Sequence, residues 1–157
     1  MTQTAIPFLF MRGGTSRGPY FDRADLPADE ETLSRVLIHA IGAGHPGTID
    51  GIGGGTAVTT KVAMLSRSTD DWADIDYFFA QVSVEDQLVD FKPTCGNILS
   101  GVGPAAIEMG LIAANDGDPE GLALRWAVPD RSTAGGALDE VGGVVTYEPP
   151  RDFNGQD

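Results

Sequence analysis

The sequence predicts a mixed α+β domain, and three observations carry that expectation. The stretch Asp29 to Gly42 places Leu33, Val36, Leu37 and Ile41 at helical spacing. Several short runs rich in β-branched and aromatic residues are bounded by Gly, Pro and Asp, as strands are. The long run Gly96 to Ala114 is almost wholly apolar, with Glu108 its only charge, and reads as a helix buried all round. At 157 residues and 41% hydrophobic content, the chain is long enough for an ordinary soluble core.

In chain order, Ile6 to Met11 is expected as a buried strand, Arg12 to Gly18 as a glycine-rich turn, and Pro19 to Phe21 as a second short strand. The helix from Asp29 follows, with acids in its first turn and Gly42 at its end. After the glycine loop Gly51 to Gly55, Val58 to Leu65 reads as a strand with Lys61 in its middle. Tyr77 to Val84 and Leu88 to Phe91 are two more strands, separated from it by the polar turn Ser66 to Asp74. Gly101, Gly103 and Pro104 interrupt helix propensity after Cys95, yet packing can override propensity, and a continuous central helix is the expectation. Further on, 115–119 reads as a turn, Leu122 to Val128 and Val141 to Tyr147 as strands, and 149–157 as an irregular tail.

The formal net charge of −13 argues against a surface for nucleic acid, since the summed field repels a polyanion. The same field repels a carboxylate, so any anion site has to be a local exception built from a few cations and backbone N–H groups. The only lysines are Lys61 and Lys92. A single cysteine excludes an intrachain disulfide framework and a multi-thiolate metal site, and fits a reducing compartment. With no signal-peptide pattern at the start and no apolar run of membrane-spanning length, a cytoplasmic protein is expected.

Cys95 stands directly before the expected helix, where the positive end of a helix dipole favours a thiolate. Gly96 lets a ligand approach the backbone, Asn97 adds an amide donor, and the first helical N–H groups point to the same place. The bland alternative, a small buried filler, does not require Gly-Asn and a helix start behind it. Lys61, flanked by Thr59, Thr60, Val62 and Ala63, has to reach solvent or meet an anion; an edge-strand lysine that snorkels to water is the simpler reading of that residue alone. Arg12, Thr15, Ser16 and Arg17 make an anion-friendly turn or merely a polar hairpin loop. The loop Gly51 to Gly55 is not a P-loop, since no Gly-Lys-Ser/Thr closes it, and not a dinucleotide fingerprint, because Thr56 stands where the last glycine is needed. His39 and His45 lack further ligands at metal spacing, and Asp70, Asp71, Asp74 and Asp76 lack the pattern of a calcium loop, so no metal is expected.

Three segments, Met11-Arg12-Gly13-Gly14-Thr15-Ser16-Arg17-Gly18, Asp50-Gly51-Ile52-Gly53-Gly54 through Thr60-Lys61-Val62, and Cys95-Gly96-Asn97-Ile98-Leu99-Ser100-Gly101-Val102-Gly103-Pro104, together resemble the PrpF family of methylaconitate isomerases and 4-oxalomesaconate tautomerases. The resemblance implies a diaminopimelate epimerase-like fold, a curved, mostly antiparallel sheet wrapped around a central helix. It places the family's N-terminal domain at 1–115, with 116–157 as remaining strands and tail and the family's second domain missing. It implies a cofactor-independent 1,3-allylic proton shift in an unsaturated tri- or dicarboxylate, with Lys61 as base and Cys95 as acid. Arg12, Thr15, Ser16, Thr59, Thr60, Gly96 and Asn97 then hold carboxylates. Because the family builds its site in a cleft between two domains, the alternatives are a homodimer that re-creates the cleft and a non-catalytic carboxylate-binding fragment.

Overall fold

The computed structural model describes residues 3–71 and 73–113, together with the backbone of two strands at 122–129 and 138–145. Its sheet has seven strands: β1 (Leu9–Gly13), β2 (Ser16–Asp22), β3 (Lys61–Arg67), β4 (Ile75–Ser83), β5 (Leu88–Asp90), β6 (Leu122–Pro129) and β7 (Leu138–Val145). They run β1-β2-β3-β4-β6-β7 across the sheet, with β5 beside β4. Four pairings are antiparallel; β2 with β3 and β4 with β6 are parallel. The mixed α+β class is as expected.

The helix α1 (Glu30–Ile41) forms for the local reasons visible in the sequence. The Asp29 carboxylate accepts from the Thr32 backbone N–H at 2.8 Å, Glu30 and Glu31 face the positive end of the dipole, and the helix stops at Gly42 in the left-handed region. That hydrogen bond also holds the Asp29 carboxyl below its ordinary range. Its buried residues Leu33, Leu37 and Ile41 pack with Phe21, Val62, Met64, Ala80 and Val82 on one face of the sheet. Because side chains alternate along a strand, Tyr20, Ala63, Leu65, Tyr77 and Phe79 face the other way. There they meet two short helices, α2 (Gly96–Leu99) and α3 (Val102–Glu108), through Ile98, Val102, Ala105 and Ala106. The sheet therefore lies between α1 and the α2–α3 pair.

Several boundaries differ from expectation, each for a physical reason. β1 begins at Leu9 rather than Ile6, past Pro7, which has no N–H to donate; Ile6 packs toward the α1 face instead. The expected turn Arg12 to Gly18 shrinks to Gly14 and Thr15, because Arg12 pairs with Arg17 and Gly13 with Ser16 in a tight hairpin. β3 starts at Lys61, so Val58, Thr59 and Thr60 precede the strand. There the Thr59 hydroxyl donates to the Thr56 carbonyl at 2.9 Å and closes a turn, outweighing the β propensity of the run.

The helix after Cys95 is neither continuous nor buried all round. It breaks at Ser100–Gly101, four residues before Pro104, where the proline lacks the N–H that Ser100 would accept and its ring crowds that carbonyl. Gly96, Asn97, Ser100 and Glu108 are exposed. β6 and β7 fall close to the expected strands, while the turn 115–119, Tyr147 and the tail 149–157 lie outside the described residues. No helix among the described residues is long and apolar enough to cross a membrane.

Candidate active site

The tip of the β1–β2 hairpin rests on the start of α2. Cβ atoms added at Gly13 and Gly14 would collide with the Asn97 backbone oxygen and side-chain Oδ1, so both positions need glycine for this approach. Thr15 N–H donates to Asn97 Oδ1 at 3.4 Å, which leaves the Asn97 NH2 as a donor without a partner among the described residues. The segment Cys95, Gly96 and Asn97 is thus joined through Asn97 to Thr15 from 82 residues away.

Cys95 is half-buried and occupies the position before α2 with extended backbone. It packs against the cluster of Tyr20, Tyr77, Phe79 and Ile98. A side chain at Gly96 would meet nothing within 4 Å, so internal packing does not require glycine there and the space is open to a ligand. The dipole argument for Cys95 changes, because α2 is a single turn and the axis is interrupted before α3.

Lys61 shares a sheet face with Cys95. Strand alternation aligns Lys61 with Ala63 and Leu65 on the α2–α3 side, and its Nζ lies 5.3 Å from the centroid of the Phe79 ring. It is partly buried, and its ammonium donates to Gln81 Oε1 at 2.9 Å across the β3–β4 pairing. Gln81 escaped the sequence reading. Its signal was a polar residue at mid-strand in an otherwise apolar run, but linking it to Lys61 needs the register.

Ser16 is fully buried on the same face as Gly18 and Tyr20, and its hydroxyl has no hydrogen-bond partner among the described residues. An unmade bond of this kind costs about 1–3 kcal/mol.

The other expected carboxylate ligands are placed differently. Arg12 is exposed and alternates with Met11 and Gly13, so it points away from the Cys95 face. Arg17, its partner across the hairpin, lies 5.7 Å from the centroid of Phe10 on that far side. Thr59 is bound to Thr56, and the buried Thr60 hydroxyl accepts from Gln81 Nε2 at 2.9 Å. The structure therefore sets Lys61, Cys95 and Ser16 on one side of the sheet and Thr15 against Asn97 beside Gly96, and it directs Arg12, Thr59 and Thr60 elsewhere. No three of His, Cys, Asp and Glu among the described residues cluster closely enough to hold a metal ion. A cavity of about 680 Å³, lined by Ile6, Phe8, Phe21, Val36 and His39 among others, opens beside α1 on the opposite face.

Two tyrosines floor the Cys95 side. Tyr20 donates to the Ile98 carbonyl at 2.7 Å, whereas the buried Tyr77 hydroxyl has no partner among the described residues. Burial raises both phenols well above their ordinary range, and negative charge at Cys95 adds to it. Since unfolded phenols ionise near pH 10, the stability they confer is complete below that pH and falls as pH rises further, where only the unfolded state releases protons. Tyr77→Phe is expected to be neutral or to stabilise by up to about 1 kcal/mol and to reduce alkaline sensitivity above about pH 10, while Tyr20→Phe costs about 1 kcal/mol. Urea unfolding at neutral and alkaline pH checks both.

Comparison with known proteins agrees with this architecture. The family model described as PrpF protein matches residues 3–145. The chain is 53% identical over 115 residues to the 4-oxalomesaconate tautomerase of Pseudomonas putida, covering 73% of this chain and 32% of that protein. It is 44% identical over 112 residues to the 3-methylitaconate isomerase of Eubacterium barkeri, covering 71% and 30%. A solved structure of methylitaconate-delta-isomerase superposes with a TM-score of 0.76 at 37% identity, covering 90% of this chain and 60% of that one. The matched segment spans only about a third of these two curated relatives, 32% and 30%.

Proposed function

This chain belongs to the PrpF family, and from that premise we propose that it carries the Lys61–Cys95 centre of an isomerase that moves a proton across an allylic system. The substrate is an unsaturated tri- or dicarboxylate of the kind named for its relatives, such as 4-oxalomesaconate or methylitaconate. The observation that carries this reading is the common face: an amine held beside an aromatic ring and a half-buried thiol, next to an open backbone start at Gly96.

In the proposed reaction Lys61 removes a proton from a carbon next to the unsaturated acid, the double bond shifts, and Cys95 returns a proton two carbons away. One C–H bond breaks and one forms. Lys61 ends protonated and Cys95 as thiolate, and exchange with solvent resets them. Both half-reactions are proton transfers within reach of an amine and a thiol, so the reading includes no cofactor. As charge develops on the substrate carboxylate, the Asn97 NH2 and the first N–H groups of α2 stabilise it, and Thr15 and Ser16 orient the remaining carboxylates.

The same reading treats the fold as diaminopimelate epimerase-like, with 1–115 as its N-terminal domain and 116–157 continuing from it. This is supported by the mostly antiparallel sheet and the α2–α3 pair against one face. It also treats the protein as cytoplasmic and as able to pair as a homodimer.

The test adds 4-oxalomesaconate or methylitaconate to the folded chain in deuterated buffer and follows both ultraviolet absorbance and deuterium incorporation. Conversion with deuterium at the new C–H position is expected. Binding by calorimetry without conversion or exchange would replace the isomerase with a carboxylate-binding module.

A further inference from the structure

We propose that Gln81 is a positioning residue for Lys61, holding the amine by a neutral acceptor so that its lone pair can turn to a substrate proton. The inference rests on the reading of Lys61 as the base, and it adds a residue that reading does not contain.

A lysine side chain loses rotamer freedom when fixed, so an amine that has to meet one carbon needs a partner. Lys61 has one directly opposite in the antiparallel β3–β4 register, where Gln81 Oε1 accepts from Nζ at 2.9 Å. The orientation of that amide is determined by its other end. Gln81 Nε2 faces the Thr60 hydroxyl at 2.9 Å, the carbonyls of Thr60 and Ala57 at 3.3 Å each, and the Val82 carbonyl at 3.5 Å. A flipped amide would press its oxygen against three carbonyl oxygens and turn its NH2 toward an ammonium. Only the observed orientation pairs donors with acceptors on both sides.

The chemistry favours an amide over a carboxylate here. A neutral amine still donates one N–H to Oε1 and keeps its lone pair free, whereas a carboxylate would form an ion pair and favour the protonated, unreactive form. The Phe79 ring on the same face restricts Nζ further without adding a formal charge. Thr60 thereby gains a part in the site: it anchors the amide that anchors Lys61.

The experiment uses the whole chain with ¹⁵N-labelled lysine. Its two lysines, Lys61 and Lys92, make the side-chain ammonium signals simple to assign. A protected Lys61 ammonium resonance is expected in the unaltered chain, lost in Gln81→Leu and retained in Gln81→Glu. In the isomerase assay both variants are expected to lose roughly tenfold or more in kcat with KM within about twofold, the leucine through lost positioning and the glutamate through a retained proton. An unchanged Lys61 resonance and unchanged kcat in Gln81→Leu would overturn the inference, and so would full activity of a folded Gln81→Glu. A chain without turnover sinks the isomerase reading instead, and the resonance still decides whether Gln81 holds the amine.

Discussion

Cys95→Ser is expected to lower isomerase turnover by about 10²- to 10⁴-fold, the range over which a positioned acid or base acts, with little change in KM. The loss follows from replacing a thiol, which gives up its proton readily, by a hydroxyl that does so only at far higher pH. The accompanying isotope pattern is more informative than the rate. If Lys61 is the base, Cys95→Ser still lets substrate hydrogen exchange with solvent at the carbon Lys61 deprotonates, while the double bond stays where it was. Lys61→Met removes that exchange as well. Mass spectrometry of recovered substrate distinguishes the two variants, and exchange that survives in Lys61→Met but not in Cys95→Ser would reverse their roles.

The second large effect concerns the backbone that carries Lys61. A Cβ added at Gly18 would overlap the Lys61 carbonyl oxygen and lie 3.0 Å from its carbonyl carbon, and neither is a flexible side-chain end that could move aside. Gly18→Ala is therefore expected to force β2 away from β3 at the first residue of that strand, at a cost of about 3 kcal/mol. A displacement near 1 Å also costs about a hundredfold in turnover. Gly96→Ala makes the contrasting case. With nothing within 4 Å of its added methyl group, stability should change by no more than about 0.5 kcal/mol. The methyl would instead occupy ligand space and raise KM. Denaturant titration together with steady-state kinetics separates the two. A stable Gly18→Ala or an unaffected KM in Gly96→Ala would remove the corresponding argument.

Local physics explains which parts of the molecule were legible in the residues. The α1 helix could be read with its cap because Asp29, the first-turn acids, the Leu33-Leu37-Ile41 spacing and Gly42 all act within a few residues of one another. The strand expected from Val58 begins only at Lys61, because β propensity is additive along a run, while the hydrogen bond from Thr59 to Thr56 that closes the turn depends on conformation. An unbroken helix after Cys95 is expected if packing overrides Pro104, yet the missing N–H and the ring of a proline act locally on the turn before it, and the helix breaks there.

The candidate site divides in the same way. Residue type and order singled out Cys95, Gly96 and Asn97, since a thiol before a helix start is a chemical statement that needs no coordinates, whereas Lys61 read alone is as well a surface lysine and gains its role only from the family resemblance. They could not tell which side of the sheet each side chain takes. Alternation along β1 turns Arg12 away from Cys95 although it is only one residue from Gly13, whose backbone lies against Asn97. Antiparallel register brings Gln81 to Lys61 from 20 residues away. Strand face and cross-strand register are set by pairings between distant segments, and those exist only once the chain has folded.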